Sequence, residues 1–324
     1  MNDPLVSIVT PTYNQACFLA ETIESVLSQD YNAIEYRVIN DGSTDDTERV
    51  LGRYANRIVW ESQANMGQTA TINTGWQKAQ GEILAWLNSD DTLLPGAVSL
   101  VVEYLRRQPD VDILYGDTVF TDAVGGHVPV RSRKGPFDYR EFIRSCENPI
   151  PQPSAFIRRR VLDDIGLLDS KFYYFMDWDY WLRAGLRHGI VHIPAALSTY
   201  RLHAGSKTIS GLARAAPELR YMYGKFFSDS TLPLEIRSLE SEAMRNMYFT
   251  SAGYFLHGHV WRASAVNVLR AVRVDPGLVF TASGIHKVAY CLFGHLEVYR
   301  AMAKALRSVL DRIRRWSTHV ADPR

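Results

Sequence analysis

The chain has 324 residues, 22% of them charged, and a formal net charge of +1. That length buries a full core with room for more than one domain, and the near-neutral balance argues against a broadly basic nucleic-acid binder. Three cysteines, Cys17, Cys146 and Cys291, are odd in number and far apart, which argues against a disulfide framework or a zinc site and fits a reducing compartment.

The first apolar run, Val6-Ser7-Ile8-Val9-Thr10, reads as a strand that stops at Pro11-Thr12-Tyr13-Asn14, and Leu19, Ile23, Val26 and Leu27 then recur at helical spacing. It begins within about six residues of Met1, which leaves no room for a signal peptide. Tyr36-Arg37-Val38-Ile39-Asn40 repeats the pattern and runs into Asp41-Gly42-Ser43-Thr44-Asp45-Asp46-Thr47, an acid, a turn glycine and helix-capping side chains. A third run, residues 83–87, ends in Asn88-Ser89-Asp90-Asp91. Short apolar runs that end in polar groups and feed helices predict an α/β fold with a mostly parallel sheet, its rim lined by Thr10, Asp41, Asp90 and Asp91. Two adjacent acids raise each other's pKa unless a cation compensates, and an all-oxygen ligand set points to Mg or Mn. The plainer reading of Asp90-Asp91 is a surface turn ahead of a helix starting at Pro95.

Further along, Ile113-Leu114-Tyr115 and residues 118–121 suggest short strands, with a hairpin turn at Gly125-Gly126. Residues 131–153 are polar, aromatic and interrupted by proline, the composition of an irregular loop. Phe172-Tyr173-Tyr174-Phe175-Met176-Asp177-Trp178-Asp179-Tyr180-Trp181 sets two carboxylates among aromatics that exclude water and raise a carboxylate's pKa. A strand over 189–196 leads into the turn-rich basic segment Tyr200-Arg201-Leu202-His203-Ala204-Gly205-Ser206-Lys207. Beyond about Pro217 the pattern is helical. Within it, Tyr299, Met302, Leu306, Val309, Leu310, Ile313 and Trp316 form an apolar stripe flanked by arginines and lysines. That stripe reads either as packing against the earlier helices or as a basic surface for an anionic bilayer.

Ser-Ile-Val-Thr-Pro-Thr-Tyr-Asn at 7–14, Asp-Gly-Ser-Thr-Asp-Asp-Thr at 41–47, Asn65-Met66-Gly67 with Asn73 and Gly75, and Asn-Ser-Asp-Asp at 88–91 together resemble the family 2 inverting glycosyltransferases of the GT-A fold. The resemblance continues through Gln152-Pro153-Ser154, Gly166, the segment from Asp177 to Arg183 and Tyr200-Arg201-Leu202-His203, covering roughly residues 5–210. It implies a GT-A domain over 1–215, with a donor half to about 115 and an acceptor half from 116, followed by a C-terminal α-helical region over 216–324.

The resemblance also implies roles. Thr10, Pro11, Tyr13, Asp41, Gly67, Asn73, Asp90 and Arg201 would bind the nucleotide sugar, with Asp41 at the edge of the base and Asp90 at the ribose. Gly67-Gln68-Thr69 would open a helix facing the donor. Asp91 would hold a divalent metal, Mn or Mg, with His203 at the metal or diphosphate on a closing loop, where Lys207 would also meet phosphate. Asp177 would be the general base, with Asp179 as the alternative, and Gln152, Ser154 and Trp178 would contact the acceptor. The family often has an acid where this chain has Asn88, and an acid ahead of Asp177 where it has Met176. The activity implied is transfer of a sugar from a nucleotide donor, a UDP-sugar, to a glycan or lipid-linked acceptor with inversion at C1, in cell-surface polysaccharide or glycoconjugate synthesis. Its expected place is the cytoplasm, with peripheral membrane contact through the C-terminal basic helix. The competing reading is a catalytically inactive sugar-nucleotide-binding or scaffold protein, kept open by Asn88 and Met176. A nucleotidyltransferase would need a glycine-rich basic loop after the first strand, which Pro11-Thr12-Tyr13-Asn14 does not supply.

Overall fold

A computed structural model describes residues 3–130, 135–207 and 211–293. The stripe from Tyr299 to Trp316 lies outside the described residues. The chain divides into two compact units, one taking the residues up to Ile143 together with Glu147–Gly211, the other taking Arg144–Cys146 and the residues from Leu212 onward.

The first unit is a mixed α/β domain. Strands β1 (Val6–Thr12), β2 (Ile34–Asn40), β3 (Val59–Ser62), β4 (Ile83–Trp86), β5 (Thr92–Leu93), β6 (Ile113–Thr121), β7 (Ala155–Arg158) and β8 (Ile190–Arg201) form one sheet in the order β3-β2-β1-β4-β7-β6-β8-β5. β1 to β4 are mutually parallel, β7 runs antiparallel between β4 and β6, and β8 is parallel to β6. Helices α1 (Ala16–Leu27), α2 (Thr47–Gly52), α3 (Gln68–Lys78) and α4 (Ala97–Arg107) alternate with the first strands, and α5 (Tyr139–Ser145), α6 (Arg159–Ile165) and α7 (Met176–Ala184) follow.

Each strand's composition follows from its neighbours. β1 pairs on both edges and packs helices on both faces, α1 on Val6 and Ile8 and α3 on Val9, so all seven of its residues are buried and neither face needs a polar alternation. β3 is a four-residue edge strand with Val59 half exposed, too short and too wet to show as an apolar run. The two short strands expected over 113–121 are one, β6, with a bulge around Gly116 and Asp117. Gly116 is required there, because a Cβ would sit 2.4 Å from the Ala195 carbonyl oxygen. β8 runs five residues past the expected end at 196 and stays paired with β6 as far as Arg201 opposite Thr121. That extension delivers residues 201–207 to the rim.

Aromatic rings fill the space between β4 and the helices. Trp76 meets Trp86 edge to face with ring centres 5.2 Å apart, Trp86 stacks on Trp181 at 5.9 Å, and Tyr180 closes on Trp76 at 5.5 Å. The second unit is helical, with helices Leu212–Phe227, Leu234–Arg237, Glu240–His257, Trp261–Val274 and Ala282–Phe293. Phe249, Ala252, Val268, Ala271 and Cys291 form a buried cluster within it. Among the described residues no helix is long and apolar enough to cross a membrane.

Gly75 sets the approach of α3 to the sheet, since a Cβ there would fall 2.4 Å from a methyl of the fully buried Val9. Gly75→Ala gains up to about 1 kcal/mol of helix propensity but overpacks a core that cannot yield, at about 1–3 kcal/mol. A net loss of about 1–2 kcal/mol is expected, read as a lower denaturant midpoint with unchanged slope.

Candidate functional site

A cleft of about 630 Å³ opens at the carboxyl ends of β1, β2 and β4. Pro11, Tyr13, Asp41, Gly67, Asp90, Asp91, Gln152, Asp177 and Lys207 are among the residues that line it. This is where open α/β sheets place ligands, because the strands stop there and the loops diverge.

Asp41 follows directly on β2 and is nearly buried. Its carboxylate accepts the N–H groups of Met66 and Gly67, each at 2.8 Å, and the Gln63 side-chain amide at 2.9 Å. An ionised carboxylate offers about four lone-pair sites, so one remains for a further donor facing the cleft. Gly67 has φ +85° and space where a Cβ would stand, and α3 begins at the next residue. The loops after β1 and β2 are also tied together. Asn14 accepts the Thr44 N–H at 2.7 Å and donates its own N–H to the Ser43 hydroxyl.

At the end of β4, Asp91 is 2% exposed and held by two donors, the Arg201 N–H at 2.9 Å and the Asn88 amide at 3.2 Å. Burial, and then the neighbouring Asp90 charge, push its carboxyl well above the usual range. Asn88 has no slack. Its amide also donates to Gln152 Oε1 at 2.9 Å and accepts from Gln68 at 2.7 Å, while Gln68 accepts from the Lys207 ammonium at 2.7 Å. Gln152 in turn donates to the Trp86 carbonyl at 2.7 Å. Asp90 accepts from the Gln15 amide at 3.3 Å and lies 3.0 Å from His203 Nε2. The Gly205 N–H donates to His203 Nδ1, which makes Nε2 the nitrogen that carries a hydrogen towards Asp90. Among the described residues no group of three or more His, Cys, Asp and Glu side chains is arranged to hold a metal. Two adjacent carboxylates, Asp91 buried and Asp90 partly exposed, faced mainly by neutral donors do fit a hard cation whose other ligands come from substrate phosphates.

Asp177 stands in the first turn of α7 and lines the same cleft. Burial raises its carboxyl to about 6 against the opposing backbone N–H groups of the helix start and the Asn148 amide at 3.2 Å. Asp179 is different. It is 3% exposed, ion-paired with Arg183 at 2.9 Å, and absent from the cleft lining.

Several expected contacts lie elsewhere. Thr10 is inside the sheet, 3.0 Å from the Tyr36 hydroxyl, because β1 continues two residues beyond it. Both ends of the Asn73 amide bond the Leu168 backbone, which fixes the segment ahead of α7. Ser154 is buried and donates to the Gly116 or Pro151 carbonyl, and Trp178 packs on Phe142 and Phe175. None of these four lines the cleft. Arg201 borders it, yet its guanidinium turns to Glu21 at 2.6 Å, the Asp90 carbonyl and the Phe18 ring, so its contribution to the site is its backbone N–H. His203 joins Asp90 rather than Asp91 and packs on Phe18. Sequence reading missed Gln15, which bridges Ser89 and Asp90, and Asn148, which meets Asp177 across 29 positions. Neither has a local signal, since each acts only through a long-range contact.

Residues 7–166 match the model of a family described as glycosyl transferase family 2. The chain is 29% identical over 221 residues to an uncharacterized glycosyltransferase of Rickettsia prowazekii, covering 64% of this chain and 67% of that one. It is 28% identical over 263 residues to one of Rickettsia felis, covering 78% of this chain but 42% of the relative, so the chain spans less than half of that protein's length. Among solved structures it is similar to Staphylococcus aureus TarS 1–349 in complex with UDP-GlcNAc, with TM-score 0.66, 18% identity and 92% of each chain covered. It is also similar to the mannosyltransferase PcManGT of Pyrobaculum calidifontis in complex with GDP-Man and Mn2+, with TM-score 0.59, 16% identity, and 96% and 88% covered. These likenesses show the GT-A fold.

A half-buried acid raised to about 6 from 3.8 binds protons more tightly folded than unfolded, so it lowers stability above about pH 6 and the loss is relieved towards about pH 4. Asp177→Asn is therefore expected to stabilise the protein by about 1–3 kcal/mol near pH 8. The gain should shrink towards zero near pH 4, as read from denaturant midpoints at the two pH values. An equal or larger gain at the lower pH would contradict a carboxyl raised by desolvation.

Proposed function

Because the chain belongs to glycosyl transferase family 2, we propose that it moves a sugar from a nucleotide-sugar donor, a UDP-sugar, to a glycan or lipid-linked acceptor with inversion at the anomeric carbon. The setting proposed is cytoplasmic synthesis of cell-surface polysaccharide or glycoconjugate. One observation carries this reading: a single cleft holds the strand-end acids Asp41, Asp90 and Asp91 together with Asp177, a carboxyl raised to about 6 by burial.

A base works best when its pKa lies near the operating pH, and Asp177 meets that condition. Asp177 takes the proton of an acceptor hydroxyl while the hydroxyl oxygen bonds to C1 from the face opposite the diphosphate. The C1–O bond to the diphosphate breaks in the same step and its electron pair leaves with the nucleotide, which inverts C1. Asp41 uses its remaining lone pair for the imide N–H of uracil, the feature that favours a uridine donor. Asp90 accepts from the ribose, and Lys207 supplies positive charge to the phosphates. Asp91, beside Asp90, would hold Mn or Mg, which when bound neutralises charge growing on the leaving diphosphate. Asp179, locked to Arg183, is a structural partner and not the base.

Screening UDP-, GDP- and dTDP-sugars for hydrolysis and transfer with Mg and Mn tests the reading directly, and silence across all donors would favour the binding-only alternative. For the active donor, kcat/KM is expected to fall about tenfold per pH unit below about pH 6, as the base protonates. Asp177→Asn should cut transfer by roughly 10²–10⁴ and flatten that profile, with donor affinity nearly intact. Asp91→Ala should abolish the enhancement of UDP binding by Mn in calorimetric titration, a readout independent of turnover. Unchanged transfer in Asp177→Asn, or Mn-enhanced binding in Asp91→Ala, would remove the corresponding assignment.

A further inference from the structure

The helical unit contains a cavity of about 380 Å³ that no part of the sugar-transfer reading uses. Its walls come from helices Leu212–Phe227, Glu240–His257 and Trp261–Val274. Ala216, Pro217, Phe255, Ala263 and Val266 make the body of the cavity apolar, and the Asn267 side chain gives its amide hydrogen to the Ala263 carbonyl at 2.8 Å. The remaining lining residues are Arg220, Arg262 and Arg270. No acid lines the cavity, and among the described residues none of these three arginines is ion-paired.

From this arrangement we infer that the helical unit binds a phosphate-headed lipid, its single apolar chain in the cavity and its phosphate among Arg220, Arg262 and Arg270. The volume falls within the range of small-ligand pockets. Arg262 and Arg270 are eight residues apart on one helix, with Val266 midway, so all three share a face. Unpaired like charges lining one cavity repel, and an anion relieves that repulsion while guanidinium forks match phosphate oxygens. A nucleotide or sugar would need acceptors as well as donors around its rings, and the walls offer donors on three arginines beside an apolar body, whereas an alkyl or prenyl chain needs neither. Val266, 45% exposed, is apolar surface that such a chain would cover. Pro217 interrupts the hydrogen-bond ladder of its helix where that helix meets the cavity. This site stands apart from sugar transfer and does not depend on it.

Calorimetric titration of the full chain with dodecyl phosphate, kept below its micelle concentration, tests the inference. Saturable one-site binding is expected, with dodecanol and inorganic phosphate each at least about tenfold weaker. Replacing both Arg262→Ala and Arg270→Ala should weaken dodecyl phosphate by roughly tenfold to a hundredfold. Val266→Trp, which fills the cavity from its exposed edge, should abolish binding while the circular dichroism spectrum and thermal midpoint stay close to those of the parent. Absence of saturable binding, equal affinity for dodecanol, or affinity unchanged in both variants would overturn it.

Discussion

Asp91 is a carboxylate withdrawn almost wholly from water beside a second carboxylate, and holding its charge organises the rest of the cleft. The two donors that oppose burial come from distant parts of the chain, the Arg201 N–H at the end of β8 and the Asn88 amide at the end of β4. The first requires β8 to stay in register with β6 as far as Arg201, across the bulge that Gly116 permits. The second requires the Asn88 amide to be fixed, which Gln68 and Gln152 do from opposite sides. A buried polar group left without partners is costly, so each of these contacts constrains the next, from the start of α3 to the short helical turn Gln152–Ser154.

The same constraint gives the Asn88 departure a physical account. An acid at that position could not donate to Asp91 or Gln152 and would place a third negative charge beside two others. The amide satisfies three neighbours without adding charge. Met176 is absorbed in a similar way. Its sulfur lies 2.9 Å from the Thr69 hydroxyl, which also reaches the Phe172 carbonyl at 2.7 Å, so the residue ahead of Asp177 is packing between α3 and α7. Burial in that packing is what raises Asp177. Raising an acid in this way destabilises the ionised fold and suits a base, a trade common at functional sites. The stacked and edge-on rings of Trp76, Trp86, Tyr180 and Trp181 supply the rigid ground against which that charge is held.

The helical unit shows a different economy of charge. Its buried cluster of Phe249, Ala252, Val268, Ala271 and Cys291 is small and apolar; Arg245 is answered by Glu242 and Asp275, whereas Arg220, Arg262 and Arg270 line a cavity that no acid lines. In the cleft, by contrast, carboxylates gather and neutral amides answer them.

The sequence by itself determined the parallel strands, their helices and the acids at their carboxyl ends, because a strand buried on both faces must be apolar throughout and shows its end as an abrupt change in polarity. The places of Asp41, Asp90 and Asp91 at strand ends were legible for that reason, whereas the aromatics around Asp177 and Asp179 marked the pair without choosing between them. Only the tertiary structure decided which polar residues face the cleft. A strand two residues longer than its apolar run takes Thr10 into the sheet, and hydrogen bonds across nearly a hundred positions turn Asn73 to the Leu168 backbone. The same holds for the guanidinium of Arg201, drawn to Glu21 across 180 positions, and for Asp177 and Asp179, which share one turn of one helix. Two residues apart, those acids point to different sides, and the arginine one turn further on claims Asp179 and leaves Asp177 to the cleft. Local spacing sets where a side chain is attached, and long-range partners set what remains free to react.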